Sequence, residues 1–326
     1  DGIHWSEPVK TGLVGDRSTM FYNPFRRRWI YSIRSSVGGR TRHYREHPDF
    51  LEGAKWTEDE PVFWARADRQ DPPDPEIGRE PQLYNLDSVA YESIMLGLFE
   101  IHLGPPNNVC AEGGFPKTTE LMTAFSRDGF HWHRPDRRAF IRAAREKTAW
   151  DRGYVQSVGG VCLVMGDELW FYYTGFRGDE SAPSKGEGVN NVMYANGSTG
   201  IARLRRDGFA SMNAAGREET LLTRPVVFEG RRLFVNVDSS DGELGVEVCR
   251  PDGQPVSGFG KDDCVSVSTD SVSAPVRWRG GDDLERFSGT PVRFRFHLRQ
   301  GKLYAFWLSR SRDGASGGYL AAGCPS

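Results

Sequence analysis

The chain has 326 residues, 42 basic and 44 acidic residues and a formal net charge of -2 at pH 7. This length gives room for two ordinary domains, and the balanced charge gives no field that would favour nucleic acid or an anionic membrane as a partner. No run of about eighteen apolar residues occurs, so the sequence predicts no membrane-spanning helix.

The predicted elements up to about residue 210 are short strands. Aromatic residues favour pleated surfaces and Gly favours tight turns, so 19 Phe, 11 Tyr, 9 Trp and 38 Gly are typical of an all-β protein. Residues 18–36 predict two strands around Asn23-Pro24, and residues 93–104 a buried strand. Residues 118–132 predict a strand followed by a turn, and residues 159–176 a hairpin across Gly166-Asp167.

A short phrase occurs twice, as DGIHW at residues 1–5 and as DGFHW at residues 128–132. In the second copy Asp128 can accept hydrogen bonds from its own turn, Gly129 can adopt positive φ, and Trp132 can cover a sheet edge. Strand, turn, aromatic-rich strand and this phrase form a unit typical of a propeller blade. We therefore expect the chain to begin at the end of a first blade.

From about residue 215 the pattern changes to strands with regular alternation of apolar and polar residues. Asp241-Gly242 and Asp252-Gly253 predict hairpin turns between them, and the whole segment favours a β-sandwich.

The five cysteines have no CxxC spacing and no neighbouring His pattern, which argues against a zinc site. Cys249 and Cys264 are candidates for a bridge between two strands. An extracellular, periplasmic or cytoplasmic location remains open.

The blade phrase, the strand WFYYTGF at residues 170–176 and the C-terminal strand series together resemble the five-bladed β-propeller glycoside hydrolases of family 32, which carry an appended sandwich. Family 43 and the family 130 phosphorylases are propeller relatives. The resemblance implies a β-propeller over residues 1–214, with its first blade incomplete, followed by a β-sandwich over residues 215–326. It also implies a carbohydrate substrate, one carboxylate from each inner strand in an axial pocket, and no cofactor or metal.

Glycoside hydrolysis needs two carboxyl groups, one protonated and one ionised, on either side of the scissile bond. Asp16 lies at the entry to a predicted strand and is expected to face the pocket. Glu92 lies beside Tyr91 and precedes an apolar strand, and such surroundings raise the pKa of a carboxyl group as a general acid requires. Asp16 and Glu92 are therefore the predicted catalytic residues.

Further residues are predicted to bind substrate. Sugar sites combine aromatic faces with polar groups that bind hydroxyls, and residues of these kinds lie at the ends of the predicted inner strands. The predicted substrate-binding residues are Arg34, Asp87, Tyr91, Glu120, Trp150, Asp151 and Tyr173.

The sequence therefore predicts a glycosidase that acts on a terminal sugar, furanoside- or fructoside-like, through paired carboxylates. Two alternatives remain open. One is a phosphorylase of the family 130 type, for which Arg26, Arg27 and Arg28 are the candidate cations. The other is a non-catalytic glycan-binding propeller. No GxSxG, P-loop or HExxH motif points to another chemistry.

Overall fold

The computed structural model of the protein describes residues 3–181, 192–320 and 324–325. Strand accounts for 47% of the chain and helix for 7%, so the protein is all-β, as the sequence predicts. The chain divides into two compact units. One comprises the chain up to Leu163 with Trp170–Ala202 and Tyr319–Cys324, and the other is formed mainly by Arg203–Gly318. The predicted boundary between residues 214 and 215 stays a prediction.

Up to residue 205 the elements alternate between short strands and turns. The strands are β1 (Thr19–Asn23), β2 (Arg28–Ser35), β3 (Thr41–His47), β4 (Val62–Ala65), β5 (Gln82–Tyr91), β6 (Ile94–Gly104), β7 (Thr118–Ser126), β8 (Gly153–Met165), β9 (Glu168–Phe176) and β10 (Gly197–Arg205). The helices are α1 (Phe50–Gly53) and α2 (Asn107–Gly113), and Val192–Tyr194 forms a 3₁₀ turn.

The strands up to β10 form three sheets among the described residues, with the orders β1-β2-β3-β4, β5-β6-β7 and β8-β9-β10. In each sheet every strand is hydrogen-bonded to its neighbour in the chain, which is the arrangement of a propeller blade. Five blades and closure into a ring stay a prediction.

The turn between β1 and β2 shows how the sequence sets these hairpins. The side-chain oxygen of Asn23 accepts hydrogen bonds from the backbone N–H groups of Phe25 and Arg26, at 3.1 and 3.2 Å. Asn23 also pairs with Arg28, the last pair of β1 and β2 before the turn. The Asn-Pro sequence therefore forms the predicted turn.

The second copy of the repeated phrase forms a tight turn after β7. Oδ1 of Asp128 accepts from the N–H groups of Phe130 and His131, at 2.9 and 2.8 Å, and Gly129 has φ of 77°. The ring of Trp132 lies over Gly97 of β6, where a Cβ would come within 2.6 Å of it. In the first copy the corresponding Trp5 is 86% exposed, so the two copies share residues but not packing.

The strands after residue 205 are arranged around one long strand. They are β11 (Met212–Leu222), β12 (Arg232–Asp238), β13 (Glu243–Cys249), β14 (Cys264–Val265), β15 (Asp270–Pro275), β16 (Arg277–Trp278) and β17 (Arg293–Ser309), followed by β18 (Tyr319–Leu320) and β19 (Cys324–Pro325), with 3₁₀ turns at Lys261–Asp263 and Glu285–Phe287. β17 pairs with β11, β12 and β13, and its neighbours bury one apolar core.

The expected hairpin at Asp241-Gly242 is not a pairing of β12 with β13. Both strands pair with β17 instead, β13 with its first half and β12 with its second half. Gly242 approaches the backbone of Arg299 so closely that a Cβ would lie 1.9 Å from the carbonyl oxygen. The turn therefore connects two strands that lie one after the other along β17. The long strand has enough residues to pair with both.

Cys249 and Cys264 are not bridged to each other, because both thiols are free and buried. The Cys264 sulfur accepts from the backbone N–H of Val246 at 3.3 Å. Within the described ranges, no helix combines the length and apolar character needed to cross a membrane.

Candidate functional site

Polar side chains are buried along one face of the β5–β6 pair. Leu83 and Asn85 pair with adjacent residues of β6, so Tyr84 is an extra residue in a β-bulge, which re-aims its side chain. The opposite face packs into an apolar cluster. Because side chains alternate along a strand, the polar face carries Tyr84, Asn85, Asp87, Glu100 and His102.

The centre of this face is a set of charges that we call the buried acid cluster, formed by Arg17, Arg42, Asp87, Glu100 and Ser157. Nη2 of Arg17 lies 3.0 Å from Oε2 of Glu100 and donates to the carbonyl oxygen of Ser157 at 3.2 Å. The Ser157 hydroxyl donates to Oδ2 of Asp87. The buried guanidinium of Arg42 donates to the carbonyl oxygens of Arg17 and Tyr84.

Burial raises the pKa of Glu100 to about 7, and the nearby Asp87 carboxylate acts in the same direction, against the attraction of Arg17. A carboxyl group with this pKa can hold a proton near neutral pH and release it. Glu100 is therefore a stronger candidate for a general acid than a surface glutamate.

Several polar atoms of this face have no hydrogen-bond partner among the described residues. They are both amide atoms of Asn85, Oδ1 of Asp87, Oε1 of Glu100 and Nε2 of His102. Buried polar groups are nearly always hydrogen-bonded. Their concentration on one face is typical of a site that binds a polar molecule.

A second group, which we call the Tyr84 cluster, adjoins the first and reaches the surface. The Tyr84 hydroxyl donates to Oδ2 of Asp16 at 3.0 Å, lies 2.9 Å from the Tyr154 hydroxyl and accepts from Nζ of Lys117 at 3.1 Å. Nε of Arg34 forms an ion pair with Oδ1 of Asp16 at 2.8 Å. The Asp16 side chain is 57% exposed, whereas Lys117 and Tyr84 are buried.

The strands bring the Tyr84 cluster together from distant parts of the chain. Asp16 precedes β1, Tyr84 belongs to β5, Lys117 precedes β7 and Tyr154 belongs to β8. Tyr154 has φ of 49°, unusual for a bulky residue, and its N–H donates to the carbonyl oxygen of Lys117 at 2.6 Å. Such backbone strain is found most often at functional sites.

Lys117 is buried among aromatic rings, with Nζ at 4.5 Å from the ring centre of Tyr84 and 4.1 Å from that of Tyr154. Burial and the nearby Arg40 together lower the pKa of Lys117 to about 8, against the attraction of Glu100 and Asp16. The ammonium group therefore lies within electrostatic reach of both carboxyl groups.

Tyr91 and Glu92 lie at the end of β5 that is remote from Tyr84. Glu92 lies in the turn after β5, and its backbone pairs with that of Tyr319. Tyr84, which binds Asp16, lies eight residues earlier, which is roughly 26 Å along an extended strand. The two carboxyl groups of a glycosidase are only about 5 to 10 Å apart, so this strand path argues for a partner of Asp16 other than Glu92, and the pairing of Asp16 with Glu92 stays a prediction.

Glu120 also lies away from the buried acid cluster. It pairs in register with Ile101 of β6, one residue from Glu100, and therefore faces the other side of the sheet. Its carboxylate forms an ion pair with Arg145 at 3.1 Å.

Trp150, Asp151 and Tyr173 come together as a separate group, which we call the aromatic platform. The Tyr173 hydroxyl donates to Oδ2 of Asp151 at 2.9 Å, and the ring centres of Trp150 and Tyr173 are 5.3 Å apart. A Cβ on Gly200 would come within 2.5 Å of the Trp150 ring, so this position must stay small. Burial, with help from Asp151, raises the pKa of Tyr173 to about 12.

Of the predicted residues, Asp16, Arg34 and Asp87 therefore lie in the two adjoining clusters. Glu100, Lys117, Tyr84 and Tyr154 are not among the predicted residues. A signal for Glu100 existed, because Glu100 and His102 are spaced two apart within the otherwise apolar strand at residues 93–104. Ionisable residues at that spacing share one face of a buried strand and indicate a polar site.

Across the described ranges, no group of three or more His, Cys, Asp or Glu side chains is placed to hold a metal ion.

No protein-family model matches this chain, and no curated protein matches it either. Among solved structures, it is similar to a glycoside hydrolase family 43 arabinoxylan arabinofuranohydrolase from Bacillus subtilis, in complex with cellotetraose. The identity is 10% and the TM-score 0.31, over 90% of this chain and 66% of that one.

It is also similar to a family 32 β-fructofuranosidase from Bombyx mori in complex with sucrose, with 11% identity and a TM-score of 0.28. That match covers 90% of this chain and 65% of the other, so the chain spans slightly less than two thirds of each structure. Similarity at this level does not define a shared fold.

Proposed function

We propose that this protein is a glycoside hydrolase that acts on a terminal sugar, furanoside- or fructoside-like, through paired carboxyl groups. The observation that carries the proposal is that an exposed, ion-paired carboxylate, Asp16, and a buried carboxyl group of raised pKa, Glu100, lie in adjoining clusters and both attract the Lys117 ammonium. In glycosidases, two carboxyl groups in different environments take the roles of proton donor and of base or nucleophile.

In this proposal Asp16 is the ionised carboxylate that contacts the sugar. Tyr84 and Arg34 fix its two oxygens, so its orientation is set before substrate binds. Preorganised groups of this kind contribute to catalysis because they need no rearrangement during the reaction.

Glu100 takes the role of proton donor that the sequence analysis gave to Glu92. Arg17 forms an ion pair with Glu100, and the Arg17 side chain is 23% exposed while that of Glu100 is fully buried. Movement of Arg17 on substrate binding would bring the Glu100 carboxyl group into contact with the glycosidic oxygen. Asp87 raises the pKa of Glu100 and acts as a positioning residue through Ser157.

The test is a screen of the protein against nitrophenyl glycosides and fructans, with released sugar as the readout. We expect turnover of at least one furanoside or fructoside and a loss of about 100-fold or more in kcat for Asp16→Asn. The matched control is Asp136→Asn, which removes an exposed carboxylate that pairs with Arg138. Binding of glycans without any turnover would overturn the proposal in favour of a binding protein.

A further inference from the structure

The Tyr84 ring is surrounded by nitrogen-bearing side chains. Nζ of Lys117 lies 4.5 Å from the ring centre and Cζ of Arg40 lies 5.4 Å from it. The imidazole of His102 stacks on the same ring, with the ring centres 6.1 Å apart. Three side chains that can donate hydrogen bonds to an anion therefore lie near the ring of Tyr84.

These donors have few acidic partners. Among the described residues, no carboxylate lies within 4 Å of the Lys117 ammonium or the Arg40 guanidinium. Arg40 instead donates to Oε1 of Gln82 at 2.7 Å. The single carboxylate of the Tyr84 cluster, Asp16, is already paired with Arg34. The cluster therefore carries an excess of positive charge.

Aromatic rings explain how the protein keeps a lysine buried without an adjacent carboxylate. The ammonium of Lys117 faces the rings of Tyr84, Tyr154 and Tyr194, and cation–π attraction offsets part of the cost of burial. Its charge remains available to a ligand.

Two nitrogen atoms next to Lys117 have no hydrogen-bond partner among the described residues. These are Nε of Arg40 and Nε2 of His102, and both atoms are buried. Burial, together with Arg40 and Lys117, lowers the pKa of His102 to about 3, so the ring is neutral and can donate one N–H group.

The cluster can be reached from outside. The Asp16 side chain is 57% exposed and Tyr194 is 40% exposed, and both lie close to the Tyr84 and Tyr154 hydroxyls. Asp16 contacts Arg34 and Tyr84, so a ligand that binds beside Asp16 would lie next to the ring around which Arg40, Lys117 and His102 are placed.

The geometry points to an oxyanion subsite formed by Arg40, Lys117 and His102, which binds a carboxylate group carried by the sugar substrate. That the ligand is a substrate rests on the proposed function, but binding of an anion at the subsite does not require catalysis. A neutral sugar would leave the excess charge unmatched, whereas an oxyanion accepts charge-assisted hydrogen bonds from all three side chains. Inorganic phosphate has the same chemistry and is the other possible source of the anion.

Isothermal titration calorimetry in a buffer free of phosphate tests the subsite, with glucuronate, glucose and inorganic phosphate as probes. We expect glucuronate to bind at least about 10-fold more tightly than glucose, and Lys117→Met to weaken the binding of glucuronate by about 10- to 100-fold. The matched control is Lys55→Met, which removes an exposed lysine paired with Glu52. Arg40→Gln, at a half-buried position, is a second variant in case Lys117→Met does not fold.

Preference for glucuronate would support a sugar carboxylate as the ligand. Binding of phosphate alone, lost in the same variants, would support the subsite with free phosphate as the source. Failure of both anions to bind the wild-type protein, or unchanged binding in both variants, would overturn it. If the anions bind but no glycoside is hydrolysed, the proposed function fails while the subsite stands.

Discussion

The Tyr84 hydroxyl donates to Oδ2 of Asp16 at 3.0 Å, although the two residues are 68 positions apart in the chain. The same hydroxyl accepts from Lys117 and contacts Tyr154, so one phenol links an exposed carboxylate to a buried ammonium. The orientation of Asp16 therefore depends on the β-bulge in β5 that aims Tyr84.

Tyr84→Phe tests this dependence. The variant keeps the ring and its packing but removes the hydrogen bond to Asp16, so we expect a folded protein with kcat lowered by about 10- to 100-fold. Tyr31→Phe is the control, because it removes a hydroxyl that donates to the carbonyl oxygen of Phe50 and lies near Arg45 and Asp49 instead of Asp16. Equal activity of the two variants would show that Tyr84 does not position Asp16.

The raised pKa of Glu100 predicts a pH dependence of stability. The folded protein holds the Glu100 proton up to about pH 7, whereas the ordinary value is 4.5. Between these values the folded state binds the extra proton, so its free energy of unfolding falls as pH rises, by on the order of 3 kcal/mol in total. The stabilisation is complete below pH 4.5 and is lost as pH passes through about 7.

Urea unfolding of the wild type and Glu100→Gln at pH 5, 7 and 8.5 measures this effect. The amide cannot ionise, so the difference between the two proteins should move in favour of the variant as pH rises. Parallel curves for the two proteins would show that Glu100 does not titrate with a raised pKa.

A buried ion pair is expected to stabilise the first unit. Nη1 of Arg134 donates to Oδ2 of Asp71 at 2.9 Å, and the two side chains are only 4% and 1% exposed. Without Arg134 the buried Asp71 carboxylate keeps only its pair with Arg137 at 3.1 Å, so Arg134→Met should lower the free energy of unfolding by about 1 to 3 kcal/mol. Thermal unfolding measures the loss, and Arg138→Met, at an exposed pair with Asp136, should change the melting temperature little.

The contact of Trp132 with Gly97 predicts a steric effect. A Cβ at Gly97 would lie 2.6 Å from the Trp132 ring, so Gly97→Ala should destabilise the protein by about 1 to 3 kcal/mol. The double variant with Trp132→Leu should recover part of the loss, because the smaller side chain removes the clash. Additive losses in the double variant would show that the two residues do not interact.

The sequence was sufficient for the local elements near Asn23 and Asp128. Turn chemistry at these positions is local, because the side chain binds N–H groups two or three residues away. The pairing of β12 and β13 with β17 could not be predicted in this way. This pairing depends on the long strand at residues 293–309. That strand comes much later in the chain, so the residues of the turn give no information about it.

The candidate site likewise combines features that have a local sequence signal with features that depend on long-range contacts. The sequence predicts Asp16, Arg34 and Asp87 as site residues from their places in or beside predicted strands, and this stays a prediction, whereas Lys117 and Tyr154 give no local signal. Their role depends on contacts between strands far apart in the chain, and the direction of Tyr84 depends on a bulge. Glu92 was favoured because of its aromatic neighbour, whereas burial from all sides raises the pKa of Glu100.

We propose that Glu100, and not Glu92, donates the proton to the leaving group. The most direct measurement is kcat/KM of Glu100→Gln and Glu92→Gln on two glycosides of the same sugar, one with a dinitrophenyl and one with a poor alkyl leaving group. A good leaving group needs no acid, so Glu100→Gln should lose about 100-fold or more on the alkyl glycoside and much less on the dinitrophenyl glycoside, while Glu92→Gln retains wild-type rates on both. The same selective loss in Glu92→Gln, with Glu100→Gln unaffected, would contradict this account.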